Sequence, residues 1–442
     1  RKAAIHGFRF RLNNFKRASR KEIEMPSINY DDMDITFSAT GSRLKFSGSR
    51  MFGRLDWFMA KEKSGYEIEE LSGSFAVGLG KTEISNLHLR DKWSDFRLKR
   101  YSMAYANAKA FSNYIEEVRM SADFRPGSIA MKTISYFAGI FPENKSVFEV
   151  KQGHFEGYTN DSSVSAFEFT DSYSRLAGQI DACQITGLPE VSSMLMDINV
   201  RNMTFTVAGL GRFLDGFRAS LPKNVREMAK GCAFNLRASL SGPVNRLKAH
   251  GTVTSKIGNL SLSADLRNLL DRRRDIEIGG SITASSVDLH RLTSNAHLGR
   301  ASFHTDFGTI LKKGIPDIHV DSLSISSLEA FGYNYSGISA KADITSGKAR
   351  ISARSIDPNL LFGLKASADL SNETGVQTYS TSGAISNVDL HALNIDKRGV
   401  SRMALNFDGD FTSRDGFIYG EASTSDIILE NSIAKNEIGG LN

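Results

Sequence analysis

The nine residues LSLSADLRN, at 260–268, decide the fold class of this chain. Apolar side chains stand at every second position from Leu260 to Leu266, with polar side chains between them. Because successive side chains of a strand point to opposite faces, this alternation predicts a β-strand with one apolar and one polar face. The same alternation dominates the chain after about residue 140, which favours a mostly β fold with a mainly antiparallel, twisted sheet.

The stretch returns, slightly changed, later in the chain. LSLSADLRN at 260–268 matches LKASADLSN at 364–372, and SVDLHRL at 286–292 matches NVDLHAL at 387–393. A third pair, GRASFHTDF at 299–307 and SRMALNFDG at 401–409, follows in the same order. A period of roughly 100 residues predicts a unit of several strands stacked on its copy, so that the apolar face continues from one unit to the next.

We therefore interpret residues 1–442 as an internal fragment of one long, elongated, repetitive β body. The predicted segments are a strand-rich part with short helical inserts (1–140), a strand part with a helical insert near 221–231 (141–245), and two β repeat units (246–345 and 346–442). Helical periodicity is limited to 110–118, 134–141 and 221–231. The chain has only 8 Pro against 38 Gly, which suits long sheets because Pro removes a hydrogen-bond donor.

Composition and charge exclude several classes of protein. Hydrophobic residues make up 40% of the chain and charged residues 24%, which is typical of an ordered protein. The net charge of +6 comes from interspersed bases and acids, so no nucleic-acid stripe is indicated.

At the basic start, FRFRL predicts a strand with Phe8, Phe10 and Leu12 on one face, in preference to an RNA or anionic-lipid surface. Cys183 and Cys232 match no zinc, haem or redox spacing, and whether they pair stays open.

Two glycine-rich stretches fail as nucleotide-binding motifs. In GLGKT (78–82), Phe75 replaces the first glycine of a phosphate-binding loop. In GLGRFL (209–214), Leu214 replaces the third glycine of a dinucleotide-binding turn. We interpret the glycines of both stretches as turn residues. The chain also has no H-x-x-x-H pair, no G-x-S-x-G elbow and no clustered Cys/His set, so we predict no catalytic residue, no metal site, no cofactor and no enzymatic activity.

The histidines of the repeated stretch are interpreted as solvated. If SVDLHRL is a strand, Val287 and Leu289 share one face, and Asp288 and His290 share the other. A histidine on the polar face of a repeated strand needs no metal or proton-transfer role. The repeat itself then explains why a histidine occupies the same position in both copies, and no chemical site is needed.

Four stretches carry a resemblance to a known family. They are the Phe/Arg alternation at the start, GLPE at 187–190 after the strand-rich 153–186, GSITASSVDLHRL at 280–292, and GAISNVDLHAL at 383–393. They resemble the periplasmic body of TamB-type proteins of the AsmA-like superfamily, which are bridge-like lipid-transfer proteins, in a Bacteroidetes-like form. The resemblance implies a sheet curled like a taco shell with an apolar interior, in the periplasm of a Gram-negative bacterium. It also implies an inner-membrane anchor outside this chain and an outer-membrane barrel partner of the Omp85 type.

A sheet with one apolar face and few helices must cover that face by its own curvature or with a ligand. Acyl chains suit such a groove, since each buried methylene contributes about 0.8 kcal/mol. We therefore expect phospholipid to move between the inner and outer membranes along the groove. The alternatives are an assembly factor for outer-membrane proteins, of the translocation and assembly module type, and a structural β-solenoid. The residues expected to line the groove are Phe234, Leu236, Leu260, Leu262, Val287, Leu289, Leu323, Ile325, Val388, Leu390, Leu405 and Phe407.

Overall fold

The structure is a computed structural model that describes residues 2–13, 27–139, 141–188, 190–217, 221, 226, 229–269, 273–312, 315–371, 376–397, 399, 401–414 and 417–441. The predicted fold class is confirmed: the chain is mostly β, with a long, twisted, antiparallel sheet and a few short helices. The apolar groove stays a prediction. The chain divides into two compact units, residues 1–241 and 242–442. The four predicted segments are not tested by this division and stay a prediction.

The first unit contains twelve complete strands and short helices among its described residues. The strands are β1 (Ala3–Asn13), β2 (Asp32–Ser47), β3 (Arg50–Glu62), β4 (Glu67–Val77), β5 (Lys81–Asp91), β6 (Asp95–Ala104), β7 (Arg119–Phe124), β8 (Gly127–Ala130), β9 (Val147–Gly157), β10 (Asp161–Asp171), β11 (Leu176–Thr186) and β12 (Leu195–Thr206). The helices are two 3-10 helices (Ala108–Asn113 and Val191–Ser193), α1 (Tyr114–Glu117), α2 (Met131–Ala138) and α3 (Val207–Gly216).

Strands of the first unit pair antiparallel with their neighbours in sequence, and β7 and β8 lie in tandem between β6 and β9. The strand predicted from FRFRL is confirmed. Phe8 and Phe10 of β1 lie opposite Phe37 and Ile35 of β2, so their side chains share one face. The rings of Phe8 and Phe37 are 5.2 Å apart, and Phe37 stacks in turn on Phe58 of β3 at 5.5 Å. This part of the sheet therefore carries an aromatic face.

Helices α2 and α3 close one end of the first unit's strands. Tyr136 of α2 packs against Tyr66 and Trp93, with ring centroids 5.3 and 5.4 Å apart. Phe213 of α3 contacts Phe148 at the start of β9, 6.5 Å between centroids. Because these aromatic contacts join turns and helices at a single end, the unit's most buried residues are concentrated there.

The predicted helices agree with the structure only in part. The prediction for 110–118 is met by the first 3-10 helix followed by α1. Helix α2 begins three residues before the predicted 134 and ends where Gly139 adopts a left-handed φ of +66°. Most of 221–231 lies outside the described residues. The turn interpretation of GLGRFL is wrong, since these residues form most of α3, whose N-cap Thr206 accepts a hydrogen bond from the Gly209 amide at 3.1 Å.

The second unit contains thirteen strands and one helix among its described residues, and β13 (Ala233–Pro243) spans the boundary between the units. The strands are β14 (Arg246–Ser255), β15 (Gly258–Arg267), β16 (Ile276–Asp288), β17 (Leu298–Leu311), β18 (Asp317–Ala330), β19 (Tyr333–Tyr335), β20 (Ile338–Thr345), β21 (Lys348–Asp357), β22 (Leu360–Asp369), β23 (Val376–Asp389), β24 (Ser401–Arg414), β25 (Phe417–Asn431) and β26 (Lys435–Leu441). The helix is α4 (Leu289–Thr293). Each strand pairs antiparallel with the next, except that β19 lies beside β18 only and β18 also pairs with β20.

Asp34 ties β1 to β2 and gives this pairing a predicted dependence on pH. Its carboxylate accepts hydrogen bonds from Nε and Nη2 of Arg9 at 2.7 and 2.6 Å, and from Nε of Arg11 at 2.9 Å. The Arg9 hydrogen bond lowers the pKa of Asp34 from 3.8 to about 2. A lowered folded-state pKa stabilises the fold above the unfolded-state value, and this contribution is lost as the pH falls through the folded value.

We expect the amide protons of β1 to lose protection from hydrogen exchange, after correction for intrinsic rates, as the pH falls from 3.8 to about 2. Asp34→Asn should remove this pH dependence and lower protection at neutral pH. The control is Asp56→Asn in β3, whose carboxylate pairs with Arg54 of the same strand and accepts a hydrogen bond from the Ser42 hydroxyl of β2. Equal pH dependence in wild type and Asp34→Asn would show that the Arg9 contact does not stabilise the strand.

Candidate functional site

The candidate site is an apolar face of the second unit, and the strand register defines it. Residues directly opposite each other in an antiparallel pair carry their side chains on the same face. From Leu260, each residue can be followed to its cross-strand partner in the next strand. These pairings link ten strands, β14 to β18 and β20 to β24. This first row consists of Val253, Leu260, Ala284, Phe303, Ile325, Ile338, Ser355, Phe362, Ile385 and Leu405.

A second row runs beside the first and starts from Leu262. It consists of Gly251, Leu262, Ile282, Thr305, Leu323, Ala340, Ala353, Leu364, Gly383 and Phe407. Neither row contains an ionisable side chain. The two rows together are called the apolar face below, and they include six of the residues singled out from the sequence: Leu260, Leu262, Leu323, Ile325, Leu405 and Phe407.

This face is only partly shielded from solvent. Leu262 keeps 42% of its surface exposed, although it lies in the middle of a ten-residue strand. The only helix that the structure describes in the second unit is the five-residue α4, which packs against β17. Large apolar side chains in the centre of a sheet are usually covered by another layer. The face is therefore available to a ligand or partner.

Cavities follow these rows across the middle of the unit. One of about 860 Å³ includes Leu323, Ala340, Ala353, Leu364 and Gly383 of the second row, together with their strand neighbours. Another, of about 570 Å³, is lined by Val320, Ala342, Ile351 and Ala366 and by charged neighbours that include Lys341, Asp343 and Arg350. A third, of about 800 Å³, is lined by Ala349, Ala368, Tyr379 and Phe411 and by charged neighbours that include Arg350, Asp369 and Glu421. Small side chains alternate with larger ones here, which leaves space above the sheet.

Gly383 shows why one of these positions has no side chain. A β-carbon at residue 383 would lie 2.7 Å from the ring of Phe407 and 2.5 Å from the carbonyl oxygen of Gly363. The glycine therefore allows the Phe407 ring to lie across the neighbouring strand. The aromatic ring in turn covers backbone that the glycine leaves bare.

The opposite face of the same strands is polar. The residues on this face include Ser261, Thr283, His304, Ser324, Ser339, Arg354, Lys341, Lys365 and Arg350. Cross-strand pairs on this face are ionic or hydrogen-bonded, as between His319 Nδ1 and Asp343 Oδ2 at 2.6 Å. The alternation seen in the sequence thus separates an apolar surface from a charged one in the folded sheet.

The repeated VDLH residues are not strand residues throughout, and this prediction is wrong. Strand β16 ends at Asp288 and Leu289 begins α4, while β23 ends at Asp389 and Leu390 lies in a turn. Leu289 and Leu390 therefore do not continue the face of Val287 and Val388. Each of these two valines is buried, and each follows a bulge that shifts the register.

The aspartates of the repeat explain why the strands end here. Asp288 accepts a hydrogen bond from the Arg291 amide at 3.0 Å, and Asp389 accepts one from the Ala392 amide at 2.9 Å. An aspartate that caps the first turn of a helix in this way competes with continuation of the strand. At both positions the aspartate cap overrides the alternation of apolar and polar residues, and the strand ends.

The two histidines have the same structural role in both copies. Nδ1 of His290 donates to the Asn295 carbonyl at 3.0 Å, and Nδ1 of His391 donates to the Asp396 carbonyl at 3.0 Å. Both side chains are exposed, as expected, but His290 lies in α4 and His391 in a turn, and neither lies on a strand. The repeated histidine therefore closes the turn that follows the aspartate cap.

The remaining predicted positions lie at the boundary between the units. Phe234 and Leu236 both belong to β13, in which alternate residues are shielded along the whole strand. Phe234 is buried and stacks on Phe205 of β12, with 5.8 Å between ring centroids. The register thus joins six of the twelve predicted residues in one continuous face. Phe234 is not one of these six, and its ring already packs against Phe205.

Sequence reasoning missed the aromatic cluster around Phe124 in the first unit and the small residues along the rows of the second. Phe124 contacts both Phe96 and Phe167, at 5.8 and 5.6 Å between centroids. Cys183 lies on the same side as these rings, between Val164 and Ile198, and burial raises the pKa of its thiol. Both cysteines are free. Phe/Phe spacing at alternate positions, as in FEF at 167–169, was the available signal for this cluster.

Among the described residues, no group of three or more His, Cys, Asp or Glu side chains is placed to hold a metal ion. Within the same ranges, no helix has the length and apolar character needed to cross a bilayer. No protein-family model, no curated protein and no solved structure matches this chain.

Proposed function

We propose that this chain is part of a periplasmic lipid carrier that moves phospholipid between the inner and outer membranes of a Gram-negative bacterium. The acyl chains lie on the apolar face of the second unit, and the polar head groups remain in water. The observation that carries the proposal is the register, since it links apolar residues of ten strands without an ionisable side chain in either row.

The energetics of an acyl chain fit such a face. Burying a methylene contributes about 0.8 kcal/mol, so about ten buried methylenes contribute roughly 8 kcal/mol before the entropic cost of binding. That is enough to hold a lipid without a deep pocket. Because the positions along each row carry uncharged and mostly apolar side chains, no step from one strand to the next requires breaking an ion pair.

The proposal includes partners outside this chain. An inner-membrane anchor and an outer-membrane barrel protein of the Omp85 type would place the sheet between the two membranes, as the resemblance in sequence implies. Lipid that enters at one membrane would move along the face by exchange between neighbouring positions. The role of the protein is then transport by a surface, with no chemical step and no cofactor.

The test is photo-crosslinking in living cells. A benzophenone amino acid at Leu262, Leu323 or Phe407, on the apolar face, should capture phospholipid that mass spectrometry identifies after purification. The same probe at Ser261 or Ser263, on either side of Leu262 and on the polar face, should capture little. Equal capture on both faces would contradict the proposal. Capture of outer-membrane protein segments in place of lipid would favour the assembly-factor alternative.

A further inference from the structure

A cavity of about 520 Å³ lies at the end of the first unit that α2 closes. Three lysines from three separate segments line it: Lys92 in the turn between β5 and β6, Lys132 in the first turn of α2, and Lys145 just before β9. Cavities that bind small organic ligands have volumes of about 300–1,000 Å³. The cavity is therefore large enough to be a binding site, and it shares no residue with the apolar face of the second unit.

Hydrogen bonds fix the segments that carry these lysines. The Asp91 carboxylate accepts from the Ser94 amide at 2.7 Å, which holds the turn that contains Lys92. The Met131 amide donates to the Ser146 carbonyl at 2.9 Å, which ties the start of α2 to the segment that carries the third lysine. The backbone around the cavity is thus set by the fold before any ligand binds.

The wall of the cavity has an excess of positive charge. Glu143 is the one acid among its described lining residues, against three lysines. Within the described ranges, none of the three lysines forms an ion pair with a carboxylate. The half-buried Lys132 donates from Nζ to the Pro142 carbonyl at 3.4 Å, a long contact, and the Lys92 ammonium lies 5.8 Å from the centre of the Trp93 ring. These ammonium groups are available to an anion.

The buried carboxylates at this end of the unit do not line the cavity. Asp91 accepts hydrogen bonds from the hydroxyls of Tyr66 and Thr133 at 2.9 and 2.7 Å. Asp171 is likewise surrounded by neutral donors, among them the Ser174 amide at 3.2 Å. Because these carboxylates are occupied elsewhere, the three lysines and the one glutamate are the charged groups that a ligand meets in the cavity.

We propose that this cavity binds the phosphate group of an organic phosphate ester. A phosphate monoester carries about two negative charges at neutral pH and several strong acceptor oxygens, which several lysines can share. A carboxylate has a single charge to set against three ammonium groups. The space that the phosphate does not fill, beside Trp93 and Val147, holds the organic part of the ester. The site is separate from the lipid-carrying face, so the two proposals can fail independently.

The test uses the fluorescence of Trp93, one of two tryptophans in the chain. The other, Trp57, lies in β3 and is replaced by Phe, so that the full chain reports on the cavity alone. The probes are glycerol 3-phosphate and vesicles that contain phosphatidic acid, with sodium chloride at equal ionic strength as the blank. Saturation by glycerol 3-phosphate assigns the site to soluble esters, and saturation by the vesicles alone assigns it to lipid head groups. If neither probe gave a saturable change beyond the blank, the inference would be overturned.

The double change Lys132→Gln and Lys145→Gln removes two charges while keeping side chains of similar length. It should weaken binding of the effective probe at least about tenfold, since each lysine supplies a charge-assisted hydrogen bond. The matched control is Lys99→Gln with Lys109→Gln, two exposed lysines of the same unit outside the cavity, which should leave the affinity unchanged. Circular dichroism confirms that both double variants fold. Equal effects of the two double changes, or unchanged affinity after the first, would show that the cavity is not the site.

Discussion

Leu323→Glu is expected to abolish phospholipid transfer while leaving the sheet folded. Leu323 lies in the second row between Thr305 and Ala340 and takes part in the largest of the three cavities. An ionised carboxylate at this point would have to lose water whenever an acyl chain passed over it, which is costly in an apolar environment. The measurement is lipid copurified with the protein, together with outer-membrane integrity of cells whose only copy carries the change.

Two controls separate a blocked face from a damaged fold. Ser261→Glu places the same charge on the polar face of β15, opposite Thr252 and Thr283 and outside the three cavities, and should leave both readouts intact. The double change His290→Ala and His391→Ala removes the turn-closing hydrogen bonds and should lower stability by about 1 kcal/mol per site without affecting transfer. Loss of transfer in the histidine variant, with normal transfer in Leu323→Glu, would rule out the lipid-carrying face.

Asp171→Ala should be the most destabilising single change in the first unit, by about 3 kcal/mol or more. The Asp171 side chain is fully buried at the end of β10, beside α3. It accepts from the amides of Val147, Tyr173 and Ser174 at 3.1, 3.2 and 3.2 Å, and from the hydroxyls of Ser146 and Ser174. Alanine would leave these donors buried without an acceptor, which is the costly case.

The measurement for Asp171 is the midpoint of unfolding in denaturant, followed by aromatic circular dichroism. The matched control is Asp181→Ala in the adjacent strand β11, whose carboxylate forms an exposed pair with Arg201. Exposed ion pairs contribute little, so its midpoint should move by less than that expected for about 1 kcal/mol. If both aspartates gave equal small shifts, the buried network would not be what holds this end of the first unit together.

The alternation of apolar residues was sufficient to predict the fold class and the two faces of many strands. It placed Leu260 and Leu262 on one side of β15, and the structure agrees. It could not determine which residues of different strands lie opposite one another, because bulges shift the register, as between Ala284 and Val287. Alternation within a strand is local information, whereas the continuous rows depend on every turn between the strands.

The prediction failed where a local capping signal competes with a strand signal. Asp288 is followed by Leu289 and Leu292, at helical spacing, and the aspartate caps α4 instead of continuing β16. The prediction for GLGRFL failed for another reason: its glycines were interpreted as turn residues, whereas Thr206 caps a helix that contains them. Both helices have a recognisable signature, an Asp or Thr directly before an apolar residue.

The sequence repeat has a consequence for how such a protein can change in length during evolution. Between Leu260 in β15 and its counterpart Leu364 in β22, the sheet adds β15, β16, β17, β18, β20 and β21, with β19 outside this count because it pairs with β18 alone. Six is an even number, so the chain returns to the same end of the sheet with its apolar side facing the same way. Gene duplication of such a block adds roughly 29 Å of sheet at the usual strand spacing, and requires no compensating substitution elsewhere.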